Sequence, residues 1–408
     1  MVDCRSGADE RHLILGGTMN SGAKTIDCGA GKGAIRMEFA SIPRFFLSRI
    51  LPRMRFLLPL LGLLLSACEG GGGPETGAED GQSRQSFRWR MVTTWPAGFP
   101  IFQEGAEKFA EDVAVMSDGR LQIQVFAGGE LVPALEVFDA VSQGVVEMGH
   151  GASYYWAGKV PAAQFFSTVP FGMSADDMRA WLYGGGGLEI WRRLYARFGI
   201  VPFPMGNTGL QMGGWFKRRI DSIDDLRGLR MRIPGLGGRV LKSAGGAPVL
   251  IAAGELYTAL ERGVIDAAEW VGPFHDMRLG LHRAAKYYYY PGWHEPGTEF
   301  ELLVGTAAWE RLPKDLQKIV AVAATAAGNW LYAQMETRNR QALQEIKEHQ
   351  RVQILAFPPS VLAELRKLTQ ATLDEEAGRD AEFKEVYEAY SRFREGLREW
   401  DEIAGEGL

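Results

Sequence analysis

From Phe87 onward the apolar positions switch between helical and strand spacing. Phe102, Ala106, Phe109, Val113 and Met116 fall three or four apart, which predicts an amphipathic helix closed by Ser117-Asp118-Gly119. Leu121, Ile123 and Val125 then alternate with polar partners and predict a strand. A second helix is predicted over 133–143 and a short strand over 145–150. A further helix carries Leu188, Trp191, Leu194, Tyr195 and Phe198. Strands are predicted at 200–203, 214–217, 229–233, 248–252 and 265–271, with helices at 239–244 and 255–262 between them. Such alternation predicts a sheet with parallel strands and helices packed on it. Two such blocks joined by extended segments predict two lobes with a cleft between them, the kind of place that small ligands favour. The last third reads as helical, over 314–338, 358–373 and 381–400. The final helix mixes Phe383, Val386, Tyr387, Tyr390, Phe393 and Leu397 with many charges. Packing on its own domain and a dimer arm both fit that pattern, and spacing alone does not separate them.

The pattern upstream of Phe87 is different. Arg44, Arg49, Arg53 and Arg55 precede an apolar run from Phe56 to Leu65, which leads into Ser66-Ala67-Cys68 and then Gly70 to Gly73. A basic flank, a short apolar core and small residues are the order of a bacterial export signal. With cysteine at the cleavage point the segment resembles a lipobox, which would make Cys68 the acylated first residue of the mature protein. An ordinary cleaved signal and a buried helix are the alternatives, whereas a membrane span would need roughly 20 apolar residues. The organisation read from the chain is therefore a misassigned upstream region over 1–53, with translation starting at Met54 or Met37, a lipoprotein signal peptide over 54–68, and a flexible tether over 69–86.

Composition narrows the classes. The chain has 408 residues, of which 46% are hydrophobic and 23% charged, ordinary values for a globular protein. The roughly 320 residues after the tether suffice for two domains with real cores. A net charge of −5 leaves no electrostatic footprint for nucleic acid. The three cysteines, Cys4, Cys28 and Cys68, lie at or before the cleavage point, so the mature body has no pair to oxidise. No Cys/His cluster has zinc spacing.

Three places carry candidate chemistry. In the predicted strand 229–233, Arg230 and Arg232 share a face, and Arg232 stands at the strand end beside Pro234-Gly235. Its planar fork suits a carboxylate held by two parallel hydrogen bonds, although a surface ion pair is the plainer reading of this segment alone. Glu269 follows small residues at the end of a predicted strand, the end that faces the crevice in open α/β sheets. With Trp270 beside it, it reads as a polar or cation site or as an exposed acid next to a core ring. Gln211 lies among glycines in the run from Asn207 to Trp215, where polar groups could meet a ligand or simply make turns, which suits Asn207. The aromatic blocks Tyr154-Tyr155-Trp156 and Tyr287 to Trp293 read mostly as core.

Several of these segments together resemble the solute-binding proteins of tripartite ATP-independent periplasmic (TRAP) transporters, of the DctP type. The carriers are the run from Gly254 through Glu255-Leu256-Tyr257 to Glu269-Trp270, the run from Asp224 to Arg232, and the block from Lys286 through four tyrosines to Pro291-Gly292-Trp293. The likeness covers Phe87 to the C-terminus and is nearest to the branch that binds 2-oxo acids such as pyruvate with a metal ion. It implies an α/β, two-lobed periplasmic solute-binding-protein fold with a central cleft and long C-terminal helices. Lobe I would comprise 87–207 and 297–335, lobe II 208–296 and 336–375, and the remainder, 376–408, a C-terminal helix and candidate dimer arm. The resemblance further implies that Arg232 grips the substrate carboxylate and Gln211 hydrogen-bonds the ligand, with Tyr155, Asn207 and Trp270 lining the pocket. Glu269, the main-chain carbonyl of Trp270, and Glu295 would hold the cation. Hard oxygen donors suit Ca²⁺ or Na⁺ rather than zinc. The partners it implies are a small carboxylate, the membrane subunits of a TRAP transporter and a second copy of the chain. Contact with a membrane would be through the lipid on Cys68 alone. His294 and Phe274-His275 depart from the residue types expected at those places, and the lipobox departs from relatives that diffuse freely.

The competing readings are a carboxylate-processing lyase or hydrolase with Glu269 as base, and a sensory ligand-binding subunit. No nucleophile–base pair is evident, and the five histidines after Cys68 sit in no catalytic motif. No signalling domain accompanies the chain.

Overall fold

The computed structural model describes residues 85–349 and 351–405. The upstream region 1–53, the signal peptide 54–68 with Cys68, and all but the last two residues of the tether lie outside the described residues. Within them the strands are β1 (Phe87–Thr93), β2 (Leu121–Phe126), β3 (Met148–Gly151), β4 (Ile200–Asn207), β5 (Gly214–Phe216), β6 (Arg230–Arg232), β7 (Ala247–Val249), β8 (Ala267–Ala268), β9 (Tyr287–Tyr290), β10 (Glu299–Gly305) and β11 (Gln353–Ala356). They form two sheets, one ordered β2-β1-β3-β10-β4 and the other β11-β9-β5-β8-β6-β7. In the first, β1 runs parallel to β2 and β3, while β10 lies antiparallel between β3 and β4. In the second, β6 is parallel to β7 and β8, and β5 runs antiparallel between β8 and β9. Each sheet with its helices is one lobe of a two-lobed mixed α/β fold.

This topology decides which residues share an edge. Because β6 and β8 are parallel, Arg232 ends one strand beside Ala268 at the end of the other, and Glu269 follows directly. Because β5 opposes β8 and β9, the start of β5 and the end of β9 lie on the same side. Gln211, just before β5, and Glu295, just after β9, are therefore delivered to the edge that carries Arg232 and Glu269. Two segments, 208–213 and 291–298, pass from one sheet to the other, and the 35-residue helix Lys314–Glu348 makes the third connection.

Several predicted bounds shift. The helix expected at 239–244 begins at Gly235 and runs through Gly237 and Gly238. They are needed for close approach, since a Cβ on Gly237 would come within 2.9 Å of the His294 Cβ. The strand expected over 265–271 pairs only at Ala267–Ala268, and the one expected over 145–150 runs from Met148 to Gly151. The helix predicted to end at 338 continues to Glu348, because it packs on the helix Pro273–Arg278 of the second lobe and keeps Ala342 and Ile346 buried. The last helix, Ala381–Ala404, buries Phe383, Val386 and Tyr390 on the first lobe. Phe383 meets Phe165 at 4.8 Å, and the Tyr390 hydroxyl accepts a 2.7 Å bond from the Met173 N–H. That half of the helix packs on its own chain, while Trp400 and Ile403 near its end are exposed.

Strand β10 is buried at all seven positions, Glu299 and Glu301 included. Burial raises both carboxyls from an ordinary 4.5 to about 8, against the hydrogen bonds from Asn207 to Glu299 and from Tyr195 to Glu301. The folded chain therefore keeps protons that the unfolded chain releases between those values. The stability this confers is complete below about pH 4.5 and is lost as pH rises toward 8. The melting temperature should fall across that range, and Glu301→Gln should flatten part of the fall. An identical pH slope in variant and wild type would refute the assignment.

Candidate functional site

The centre of the site is a buried charge cluster at the facing sheet edges. The Arg232 guanidinium is 1% exposed and donates through Nη1 to the Glu269 carboxylate and, at 3.2 Å, to the Glu269 carbonyl. Its Nε donates to the Ile251 carbonyl at 3.2 Å, and its Nη2 lies 3.5 Å from the Tyr155 hydroxyl. The Trp270 ring lies under the guanidinium carbon at 4.8 Å, an electrostatically favourable face for a desolvated cation. Burial works against the Arg232 charge, but Glu269, Tyr155, Tyr154 and Glu295 outweigh it and raise its pKa.

Glu269 also meets His294 Nε2 at 3.2 Å. One candidate ligand atom from each of Glu269, His294 and Glu295 lies within 4.8 Å of the others, and all three residues are buried. Burial, and then the neighbouring Glu269, raise Glu295 to about 7, so two buried acids compete here for positive charge.

The orientation of Gln211 follows from its neighbours. Its Nε2 faces the Thr208 and Thr298 hydroxyls, each at 2.9 Å, and a Glu295 oxygen at 3.0 Å. Thr298 Oγ1 spends its proton on Glu295, and Thr208 Oγ1 spends its own on the Gly209 carbonyl at 3.1 Å. Both hydroxyls can therefore only accept from Gln211, which puts the NH₂ group on that side. Gln211 Oε1 is left buried without a hydrogen-bond partner. An orphaned buried oxygen on an amide whose other end meets Glu295 fits a hard cation.

The sequence-derived site residues divide in two. Arg232, Glu269, Trp270, Gln211, Glu295 and Tyr155 converge. Asn207 points elsewhere: its Oδ1 accepts from the Gly209 N–H at 2.9 Å, the turn chemistry open to it, and its Nδ2 donates to Glu299 at 3.0 Å. It lines a separate cavity of about 290 Å³ with Arg179, Tyr183, Glu299 and Asn329. Sequence reading passed over Thr208, Thr298 and Asp276. Buried Asp276 accepts from the Val271 N–H at 3.2 Å, from Trp215 Nε1 at 3.0 Å and from the Tyr288 hydroxyl at 2.7 Å, and so anchors the loop after β8. A cleft of about 420 Å³ lies beside the cluster, with Thr94, Gly128 and Leu135 on one wall and Leu250, Ile251 and Gly254 on the other.

An arginine and paired acids at the facing edges of two lobes define a receptor for a small, charged solute. Comparison with known proteins gives the same class. Residues 91–379 match the family described as bacterial extracellular solute-binding protein, family 7 (DctP), and the chain belongs to it. It is 46% identical to a monocarboxylate 2-oxoacid-binding periplasmic protein of Nostoc sp. over 78% of this chain and 87% of that protein. Among solved structures it resembles a TRAP periplasmic solute-binding protein of Colwellia psychrerythraea with bound calcium and pyruvate. That match has 45% identity and a TM-score of 0.76, covering 79% of this chain and 98% of the other. A counterpart from Pseudoalteromonas atlantica, with bound sodium and pyruvate, matches at 44% identity and a TM-score of 0.77, with the same coverage. The family is one of solute receptors, the class that the sequence favoured over an enzyme. Among the described residues no helix is long and apolar enough to cross a membrane.

Proposed function

We propose that this chain captures a small 2-oxo or 2-hydroxy monocarboxylate, of the pyruvate or lactate type, together with Ca²⁺ or Na⁺, and delivers it to the membrane subunits of a TRAP transporter. The observation that carries this reading is the convergence of a buried guanidinium with two buried carboxylates and the orphaned Gln211 oxygen. Arg232 binds the substrate carboxylate through Nη2, the guanidinium nitrogen not committed to Ile251 or Glu269. Glu269, Glu295, the Trp270 carbonyl and Gln211 Oε1 hold the ion, so Gln211 serves as an acceptor rather than as a donor to the ligand. Tyr155 brings a hydroxyl from the first lobe to the same guanidinium and so ties closure of the lobes to occupancy. A bound cation supplies a charge that the carboxylate and 2-oxygen of the solute can chelate together. The 46% identity to a 2-oxoacid-binding protein and the pyruvate of two structural neighbours support the same solute class.

Charge counting leans toward calcium. With Glu269 and Glu295 both ionised and His294 neutral, the acids and the solute bring three negative charges and Arg232 one positive, so Ca²⁺ neutralises the group and Na⁺ leaves one charge over, whereas a protonated His294 would balance the group with Na⁺. Calorimetric titration of the mature chain with pyruvate in the presence of calcium should give saturable binding, with pyruvate recovered unchanged. Chemical conversion of the ligand would favour the enzyme reading, and no heat with either ion would remove this one.

The lipid anchor rests on Leu65-Ser66-Ala67-Cys68 alone. Mass spectrometry of the native protein should find a diacylglyceryl-modified peptide beginning at Cys68. A peptide from the first thirty residues would overturn both the anchor and the start at Met54 or Met37.

A further inference from the structure

The two chain segments that cross between the sheets are bound to each other where they pass the charge cluster. The Thr208 N–H donates to the Thr298 carbonyl at 3.1 Å, and the Thr298 N–H donates to Thr208 Oγ1 at 3.0 Å. The Gly292 N–H donates to the Gln211 carbonyl at 3.0 Å, and Asn207 to Glu299 closes the far end at 3.0 Å. Both threonines are at most 1% exposed. One side chain from each crossing segment thus holds the Gln211 amide, and Thr298 also donates to the Glu295 carboxylate.

We infer that Thr208 and Thr298 are positioning residues for the cation. Their hydroxyls fix which way Gln211 presents its oxygen, and Thr298 fixes the rotamer of Glu295. Because they stand on two of the three interlobe connections, the cation site is built into the hinge. Movement of either crossing moves ion ligands. Neither hydroxyl needs to touch the ion. Loss of the Thr298 hydroxyl would remove the hydrogen bond donated to Glu295 Oε2 and one of the three acceptors that hold the amide, and outer hydrogen bonds of this kind typically contribute about 10–100-fold to metal affinity.

This inference rests on the reading of the cluster as a cation site. The test is calcium titration of chelator-stripped protein without pyruvate, for wild type, Thr298→Val, Thr298→Ser, Thr208→Val and Thr208→Ser. Melting temperatures of the metal-free proteins serve as the control for folding. Valine keeps the shape and removes the hydroxyl, and serine restores the hydroxyl. Thr298→Val should weaken calcium binding about tenfold or more, with Thr298→Ser within about threefold of wild type. Thr208→Val should follow the same pattern more weakly, and it carries the test if Thr298→Val does not fold. Valine variants that bind calcium like wild type, or serine variants as weak as their valine counterparts, would overturn the inference. A wild-type chain that binds neither calcium nor sodium would instead fail the underlying reading, so the two failures are distinct.

Discussion

Arg232→Ala is expected to abolish measurable pyruvate binding and to lower stability at once. The substitution removes the Nη2 donors left for a bound carboxylate, since Nε and Nη1 are committed to Ile251 and Glu269, and one or two charge-assisted hydrogen bonds at about 1.5–3 kcal/mol each amount to a loss of about 10–10⁴ in affinity. It also leaves Glu269 buried with its main counter-charge gone, since both side chains of the pair are 1% exposed. Breaking a buried pair in this way costs about 3–5 kcal/mol. Arg232→Lys separates the two effects. A lysine keeps the charge beside Glu269 but cannot reach the Ile251 and Glu269 carbonyls and a ligand as a planar fork does. It should fold with a melting temperature near that of wild type and still bind pyruvate about 10–100-fold more weakly. Calorimetry for affinity and thermal melts for stability read both quantities. An alanine variant that binds pyruvate within threefold of wild type would show that the solute carboxylate goes elsewhere.

Removal of the cation should have an effect of similar size. Without it, an incoming carboxylate joins Glu269 and Glu295 with Arg232 as the main compensating charge. One unbalanced like charge at about 4 Å costs about 4 kcal/mol at an effective dielectric constant near 20, or about a thousandfold in affinity. Chelator-stripped protein should therefore bind pyruvate at least about a hundredfold more weakly, with recovery on adding calcium and smaller recovery on adding sodium. Propionate, which has the carboxylate but no 2-oxygen, should gain much less from the ion. Equal pyruvate affinity with and without chelator would end the metal reading.

What periodicity and spacing alone could give was local, apart from the alternation that predicted two lobes, whereas the grouping of Arg232, Glu269 and Glu295 came from the family resemblance. The helix Phe102–Met116, the strand from Leu121 and the arginine at the end of β6 follow from periodicity and from neighbours a few residues away. β10 was missed because a strand buried on both faces does not alternate, and its two glutamates interrupt the apolar run. The helix Ala175–Gly184 was missed although Ser174 and Asp177 form a capping box visible in the sequence. The orientation of Gln211 was beyond reach, because it depends on Glu295 and Thr298, which lie 84 and 87 residues away. The same distance hid the threonines, since a lone Thr in a connecting segment carries no pattern. His294 stood out only as a departure from the expected residue type, and contact with Glu269 gives it a place.

The long helix has a mechanical consequence. At 1.5 Å per residue its 35 residues make a rod of about 52 Å. Leu316 to Ala327 lie in the core of the first lobe, Leu331, Met335 and Ile346 join a cluster that draws on both lobes, and the helix also packs on Pro273–Arg278 of the second. Near the changeover, Gly328 abuts β4 so tightly that a Cβ there would come within 2.9 Å of the Gly206 nitrogen. Any gaping of the jaws must therefore flex this shaft or shear one half along it, which makes it a leaf spring whose stiffness limits how wide the molecule can yawn.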